Sequence, residues 1–188
     1  MTSTTRQLLA SARMLLVLTV LLGVLYPAAV WAVGRVGLSG QADGSLVRRD
    51  GAVVGSSLLG QDFQGDRWFT GRPSASAYAG STSGGSNLAA SSADQVKAVR
   101  ERAAAYRAAY GVAAPADALT ASASGLDPHV SPANARAQVH RVAVANGLPD
   151  TAVERLVEQH TQGRVMGFLG EPRVNVLELN LALERMGR

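Results

Sequence analysis

Asp127-Pro128-His129, with Ser122, Ser124 and Ser131 close by, brings together the residue types of a nucleophile–base–acid relay. In such a relay a serine hydroxyl attacks, an imidazole takes its proton, and a carboxylate orients the imidazole. These roles are set by geometry, so proximity along the chain is not evidence for them. The chain has no Gly-x-Ser-x-Gly elbow and no His-Glu-x-x-His, and its only histidines are His129, His140 and His160. A hydrolase using Ser124, His129 and Asp127 is therefore the alternative reading. The Gly-rich run Gly80 to Asn87 offers backbone N–H groups to an anion. It contains no lysine and lacks both the Gly-Lys-Ser/Thr ending and the G-x-G-x-x-G spacing, so it reads as a structural turn. With no cysteine there is no disulfide framework, thiol nucleophile or thiolate metal site. The residues around Asn146-Gly147-Leu148-Pro149 have a helix-turn-helix outline. The second helix, however, sets Glu154 and Glu158 beside Arg155, the wrong charge for phosphates, so a packing hairpin and no nucleic-acid partner are expected.

The elements that hold these residues begin with Met14 to Val33, an uncharged run of 20 residues between Arg13 and Arg35. A hydrocarbon core of about 30 Å needs about 20 helical residues, and a helix satisfies its own backbone groups in lipid. The run is longer than the ~7–15 residues of a signal-peptide core and ends near Trp31, a side chain suited to the membrane interface. We read it as a retained anchor, with Pro27 a site of kinking or local adjustment. Arg6 and Arg13 precede it with no acid, which favours a cytoplasmic N-terminus. The expected organisation is a cytoplasmic segment 1–13, a transmembrane helix 14–33 and an extracytoplasmic domain 34–188. The chain carries 18 basic and 14 acidic residues, but Arg6 and Arg13 belong to the anchor, so the body is only weakly basic.

In the body, Asp50-Gly51 marks a turn before a strand over 52–59, and Trp68-Phe69 reads as a second strand edge before Gly71-Arg72-Pro73. The Ser/Gly/Ala-rich stretch 73–92 is a linker or an ordered loop. Ser92-x-x-Gln95 predicts a capped helix over 92–110 ending at Gly111, with Lys97, Arg100, Arg102 and Arg107 on a solvated face. Ser131-Pro132 opens a second helix that ends at Asn146-Gly147, and Thr151-x-x-Glu154 opens a third. Residues 164–169 are strand-like. The segment from Arg173 reads as a short strand running into a helix capped by Asn175. Strands and helices mixed in one small body give an α+β fold on one anchor. Ser122 to Pro132, small residues around Gly125 with Asp127-Pro128 fixing a turn, suits a shaped loop.

Several strings are more specific than these motifs: Gly-Ser-Ser-Leu-Leu-Gly-Gln (55–61), Trp-Phe-Thr-Gly-Arg-Pro-Ser-Ala (68–75), Ser-Gly-Gly-Ser-Asn-Leu (83–88), Thr-Ala-Ser-Ala-Ser-Gly-Leu-Asp-Pro-His-Val-Ser-Pro (120–132) and Val-Asn-Val-Leu-Glu-Leu-Asn-Leu-Ala-Leu (174–183). In content and order they resemble the C subunit of the Kdp-type potassium-transporting ATPase, and the match includes the single N-terminal span. The sequence departs from that pattern at Ala89 to Asp94, where Gly-Pro and Asn-Pro are usual, and at Asn146, where Arg is common. The resemblance implies a non-catalytic accessory subunit of an ATP-driven potassium importer in the cell membrane. Its implied partners are a potassium-selecting channel-like subunit, a P-type ATPase subunit, a small single-span subunit and the lipid bilayer. It also implies a part in assembly and in raising the ATPase subunit's affinity for ATP, with ATP itself only a family-implied ligand. An extracytoplasmic body without a phosphate motif would exert such an effect through assembly. Because the resemblance is densest where catalytic chemistry is missing, the expected partner-contact residues are Ser83, Gly84, Gly85, Ser86, Asn87, Ser124, Gly125, Leu126, Asp127 and Pro128.

Overall fold

In the computed structural model, which describes residues 2–186, the chain divides into two compact units at Leu46/Val47. The first is dominated by α1 (Ser3–Gly37), the one helix among the described residues long and apolar enough to cross a membrane. Thr2 caps it, its side chain accepting from the Thr5 N–H. The large apolar side chains between Met14 and Val33 all face outward, as a lipid-embedded helix requires. The Pro27 ring would crowd the carbonyl of Gly23, four residues back. The helix absorbs this with a π-helical turn over Leu21–Leu25, in which the Tyr26 N–H reaches back five residues to the Leu21 carbonyl. Beyond it lies a short turn of helix, α2 (Ser39–Ala42), beside the exposed Arg35–Asp43 ion pair at 2.8 Å.

The second unit opens with a hairpin, β1 (Leu46–Arg49) and β2 (Ala52–Ser56), turned by Asp50 and Gly51, both with positive φ. Two positive-φ residues in the turn match the right-handed twist of the strands they join. A long ordered loop leads to α3 (Ala93–Tyr110), which ends with Gly111 left-handed at φ +69°. Then come the short α4 (Ala116–Leu119), β3 (His129–Val130), α5 (Pro132–Asn146), α6 (Asp150–Gln159), β4 (Thr161–Gln162), β5 (Arg173–Asn175) and α7 (Val176–Met186). The sheet β3-β5-β4 is antiparallel with β5 in the middle, and pairs His129 with Asn175 and Thr161 with Val174. Val139, Val142 and Ala143 of α5, Val153, Leu156 and Val157 of α6, and Leu179 and Leu183 of α7 follow helical spacing and close on Val174 and Phe69. Burying each of the larger side chains contributes about 1.5–3 kcal/mol. The fold is α+β.

Several local expectations hold. Ser131 Oγ accepts the Asn134 N–H at 3.1 Å and Asn175 Oδ1 accepts the Glu178 N–H at 3.1 Å, so both helix starts are capped by the side chains the sequence offers. Others are corrected. Ser92 precedes α3 without a side-chain cap bond, and α6 starts at Asp150, one residue before Thr151. Arg102 is not merely solvated, because it donates to the Leu119 carbonyl at 2.9 Å and ties α4 to α3. Residues 164–169 form a tight turn bridged Val165 to Leu169, since Met166 and Gly167 both take positive φ and a continuous strand cannot.

Trp68-Phe69 pairs with no strand, and the reason organises the domain. The Phe69 N–H donates to Asn180 Oδ1 at 2.9 Å while Asn180 Nδ2 donates back to the Phe69 carbonyl at 2.9 Å. One residue on, the Thr70 N–H donates to Gln138 Oε1 at 2.8 Å and Gln138 Nε2 returns a bond to the Thr70 carbonyl at 3.1 Å. Two buried carboxamides thus act as the missing neighbour strand. Asn180→Ala strands a buried donor and a buried acceptor, each costing roughly 1–3 kcal/mol. Denaturant unfolding should show a loss larger than for Asn146→Ala. Asn146 also bonds two carbonyls, those of Arg67 and Val142, but on a more exposed site.

Candidate partner-contact site

Residues 83–87 and 124–128 lie far apart in sequence, and the fold joins them. The Gly84 N–H donates to the Ser124 carbonyl at 2.8 Å, and Ser83 Oγ donates to the same oxygen at 3.2 Å. The amide that an anion would need is therefore spent on the neighbouring loop. Gly125 sits at φ +68°, where a side chain is strained, and a Cβ there would strike Ser76 Oγ and come within 2.7 Å of the Gly84 carbonyl. Gly85 approaches as closely from the other side, its virtual Cβ 2.9 Å from the Ala123 carbonyl. The loops touch backbone to backbone, which is why both are glycine-rich.

A third segment supports them from beneath. Ser74 Oγ donates to the Gly125 carbonyl at 2.7 Å and accepts the Tyr78 N–H at 3.1 Å. The Ser122 N–H reaches the Pro73 carbonyl at 2.8 Å, and the Gly60 N–H reaches the Leu126 carbonyl at 2.8 Å. Tyr78 folds its ring under Gly60 and Gly71 and donates its hydroxyl to the Arg72 carbonyl. Burial, with Asp127 and Asp62 nearby, pushes its phenol up to about 12. Arg72, Ser74, Ser76 and Tyr78 were not among the site residues expected from sequence. The 68–75 string, which shares the specificity of the two loops it supports, was the signal for Arg72 and Ser74, and no string marked Ser76 or Tyr78.

Asp127 is held from several directions. Oδ2 accepts from Arg72 Nη1 at 2.9 Å, Oδ1 accepts the His129 N–H at 3.0 Å, and His129 Nδ1 lies 3.6 Å from Oδ1. Burial raises this carboxyl, but the His129 and Arg72 hydrogen bonds and the Arg72 charge outweigh it and lower it to about 2. Ser124 Oγ meanwhile exchanges a bond with Ser122 Oγ at 3.2 Å and accepts the Leu126 N–H at 3.1 Å. Among the described residues no hydrogen bond joins Ser124 to His129. The relay that the residue types suggested is absent, and its members are loop-fixing groups.

The ten expected contact residues separate into two kinds. Gly125 and Pro128 are buried, and Gly84, Gly85, Leu126 and Asp127 are half-buried beneath the surface they shape. Ser83, Ser86, Asn87 and Ser124 are exposed on top of it. Alongside runs a shallow groove lined by Leu58, Leu59, Leu126 and Pro128, in which Leu58 and Leu59 expose apolar surface. The arrangement is a rigid polar platform edged by an apolar groove.

A small α+β domain joined in sequence to one membrane-length helix has the form of a membrane-anchored module. Residues 8–185 match the family model described as KdpC: K+-transporting ATPase, c chain, and the chain belongs to that family. It is 57% identical to the potassium-transporting ATPase KdpC subunit of Kineococcus radiotolerans, over 97% of this chain and 95% of that one. The subunit of the same name from Sorangium cellulosum is 54% identical over 91% and 93% of the two chains. That from Mycobacterium tuberculosis is 48% identical over 96% and 99%. The chain is thus a subunit of a P-type potassium-transporting ATPase complex, accessory to potassium import.

The electrostatics give a directional test. Asp127 has a folded pKa of about 2 against an ordinary 3.8, so its stabilising contribution is complete above 3.8 and is lost as pH falls through 2. Asp127→Asn should lower the unfolding midpoint at neutral pH and flatten its decline on acidification. Midpoints of both proteins measured from about pH 6 to about pH 2 should converge at the acid end.

Proposed function

We propose that this subunit is non-catalytic, that its domain lies outside the cytoplasm, and that the 83–87/124–128 platform docks on the potassium-selecting subunit. The observation that carries the docking reading is the split between buried and exposed members of the platform. Polar bonds from three segments are spent on rigidity, while Ser83, Ser86, Asn87 and Ser124 are left facing outward. A preformed surface loses little entropy on binding, which is what a docking site gains from such an investment. The placement outside the cytoplasm rests on Arg6 and Arg13 before the span. Residues 83–87 and 124–128 offer no free phosphate-cradling amide at Gly84, so any influence on the ATP affinity of the ATPase subunit passes through assembly rather than direct nucleotide contact.

Two measurements test this. Ser86→Arg alters an exposed position outside the bonds that fix the two loops, so the unfolding free energy should stay within about 0.5 kcal/mol of the parent, while recovery of the other subunits from solubilised membranes falls by more than half. Undiminished recovery would place the interface elsewhere. In sealed cells stripped of their outer layers, external protease should digest the domain. Protection until the cytoplasmic face is opened would reverse the orientation.

A further inference from the structure

The turn between β4 and β5 is built against the usual rules of a surface hairpin. Val165 and Leu169 bridge, the Phe168 N–H bonds the Val165 carbonyl at 3.3 Å, and Met166 and Gly167 at the apex have φ +53° and +82°. Such a turn favours Asn or Asp followed by Gly. Here a methionine takes the strained first position with 81% of its surface exposed. Around it Val165, Phe168 and Leu169 are 51%, 70% and 50% exposed, so that each large side chain of the tip faces outward. Neither the backbone nor water favours this choice. At the base Arg164 pairs with Glu171 at 2.9 Å and Arg173 bonds the neutral Gln162 at 3.2 Å, which fixes the finger and leaves its stem with one net positive charge.

We infer that this finger, Val165 to Leu169, inserts into the surface of the bilayer that the chain's own helix spans. The finger is convex, so its occupant must either be a fitted groove or a soft apolar phase. The anchor keeps one such phase close to the start of the domain. The α1 helix ends at Gly37 and the domain begins at Val47, and the intervening segment reaches at most ~35 Å even when fully extended. Tethering turns a weak insertion into a populated one, because the second contact is intramolecular in character. Four apolar side chains at the tip against one net charge at the stem make the contact mainly apolar, so it should persist when salt is raised.

The absence of cysteine makes the test clean. Full-length chain carrying Met166→Cys, labelled with a nitrobenzoxadiazole probe, is reconstituted into vesicles of phosphatidylethanolamine and phosphatidylglycerol containing doxyl-labelled acyl chains. The expected result is blue-shifted emission quenched several-fold more strongly than from the same probe at Lys97→Cys, an exposed site on α3. Quenching should be unchanged by salt. Adding Phe168→Ser and Leu169→Ser should abolish it while leaving the unfolding midpoint in place. Quenching no greater than at Lys97→Cys overturns the inference. So does a blue shift without quenching, which would mean that protein covers the finger. Quenching that salt removes, or that survives the two serines, overturns it as well.

Discussion

The second unit depends on two side-chain amides reading a strand edge that no strand reads. Asn180 and Gln138 each give one hydrogen bond to, and take one from, the backbone of Phe69 and Thr70. They come from α7 and α5, so the extended segment is stitched to both helices while the Phe69 ring is driven into the core they share. Gln138 then extends the network. Its Nε2 also donates to Asn134 Oδ1 at 3.2 Å, the Tyr106 hydroxyl donates to the same oxygen at 3.1 Å, and Asn134 Nδ2 reaches Asp117 at 3.1 Å. Helices α3, α4 and α5 are tied together through these polar atoms. A satisfied buried network of this kind specifies one arrangement, and a half-satisfied one would be costly.

The platform follows from that fixing. Once Thr70 is pinned, Gly71 to Tyr78 have only a short run in which to turn, and they pass beneath Gly125 with Ser74 and Ser76 pointing at its carbonyl. Arg72 leaves the same run to meet Asp127 and the Thr120 carbonyl. The loops at 83–87 and 124–128 therefore rest on a segment anchored in the core rather than on each other alone. Their order is inherited from residues 180 and 138, neither of which lies in either loop.

Much of this was legible because the signals were local. The uncharged stretch Met14 to Val33 marks α1, Ser131-Pro132 and Gly147 bracket α5, and Asn175 with Glu178 starts α7, each through a cap or period confined to a few neighbours. The two loops were legible only through their resemblance to a family, since small residues and glycines have no periodicity. What could not be read was long-range pairing through side chains. Nothing near Phe69 announces that an Asn 111 residues away will stand in for a strand, so the extended pattern reads as a sheet edge. Residues 164–169 misled for the opposite reason. Their apolar composition has strand character, but positive φ at Met166 and Gly167 folds them back on themselves.

Asp127 shows why residue type is a poor guide to role in this chain. Beside His129 and two serines it resembles a catalytic carboxylate, and in the family's most specific string it resembles a contact. Its oxygens are already divided among Arg72 and the His129 backbone and ring, and a carboxylate so engaged has little left to offer a partner without giving up loop geometry. A partner contact through this loop must then use what Asp127 holds in place. That points to the exposed Ser124 and the Ser83, Ser86 and Asn87 side chains brought beside it, with the Leu58–Leu59 groove at the edge. The distinctive residues of the string make the surface possible, and the unremarkable serines above them face outward.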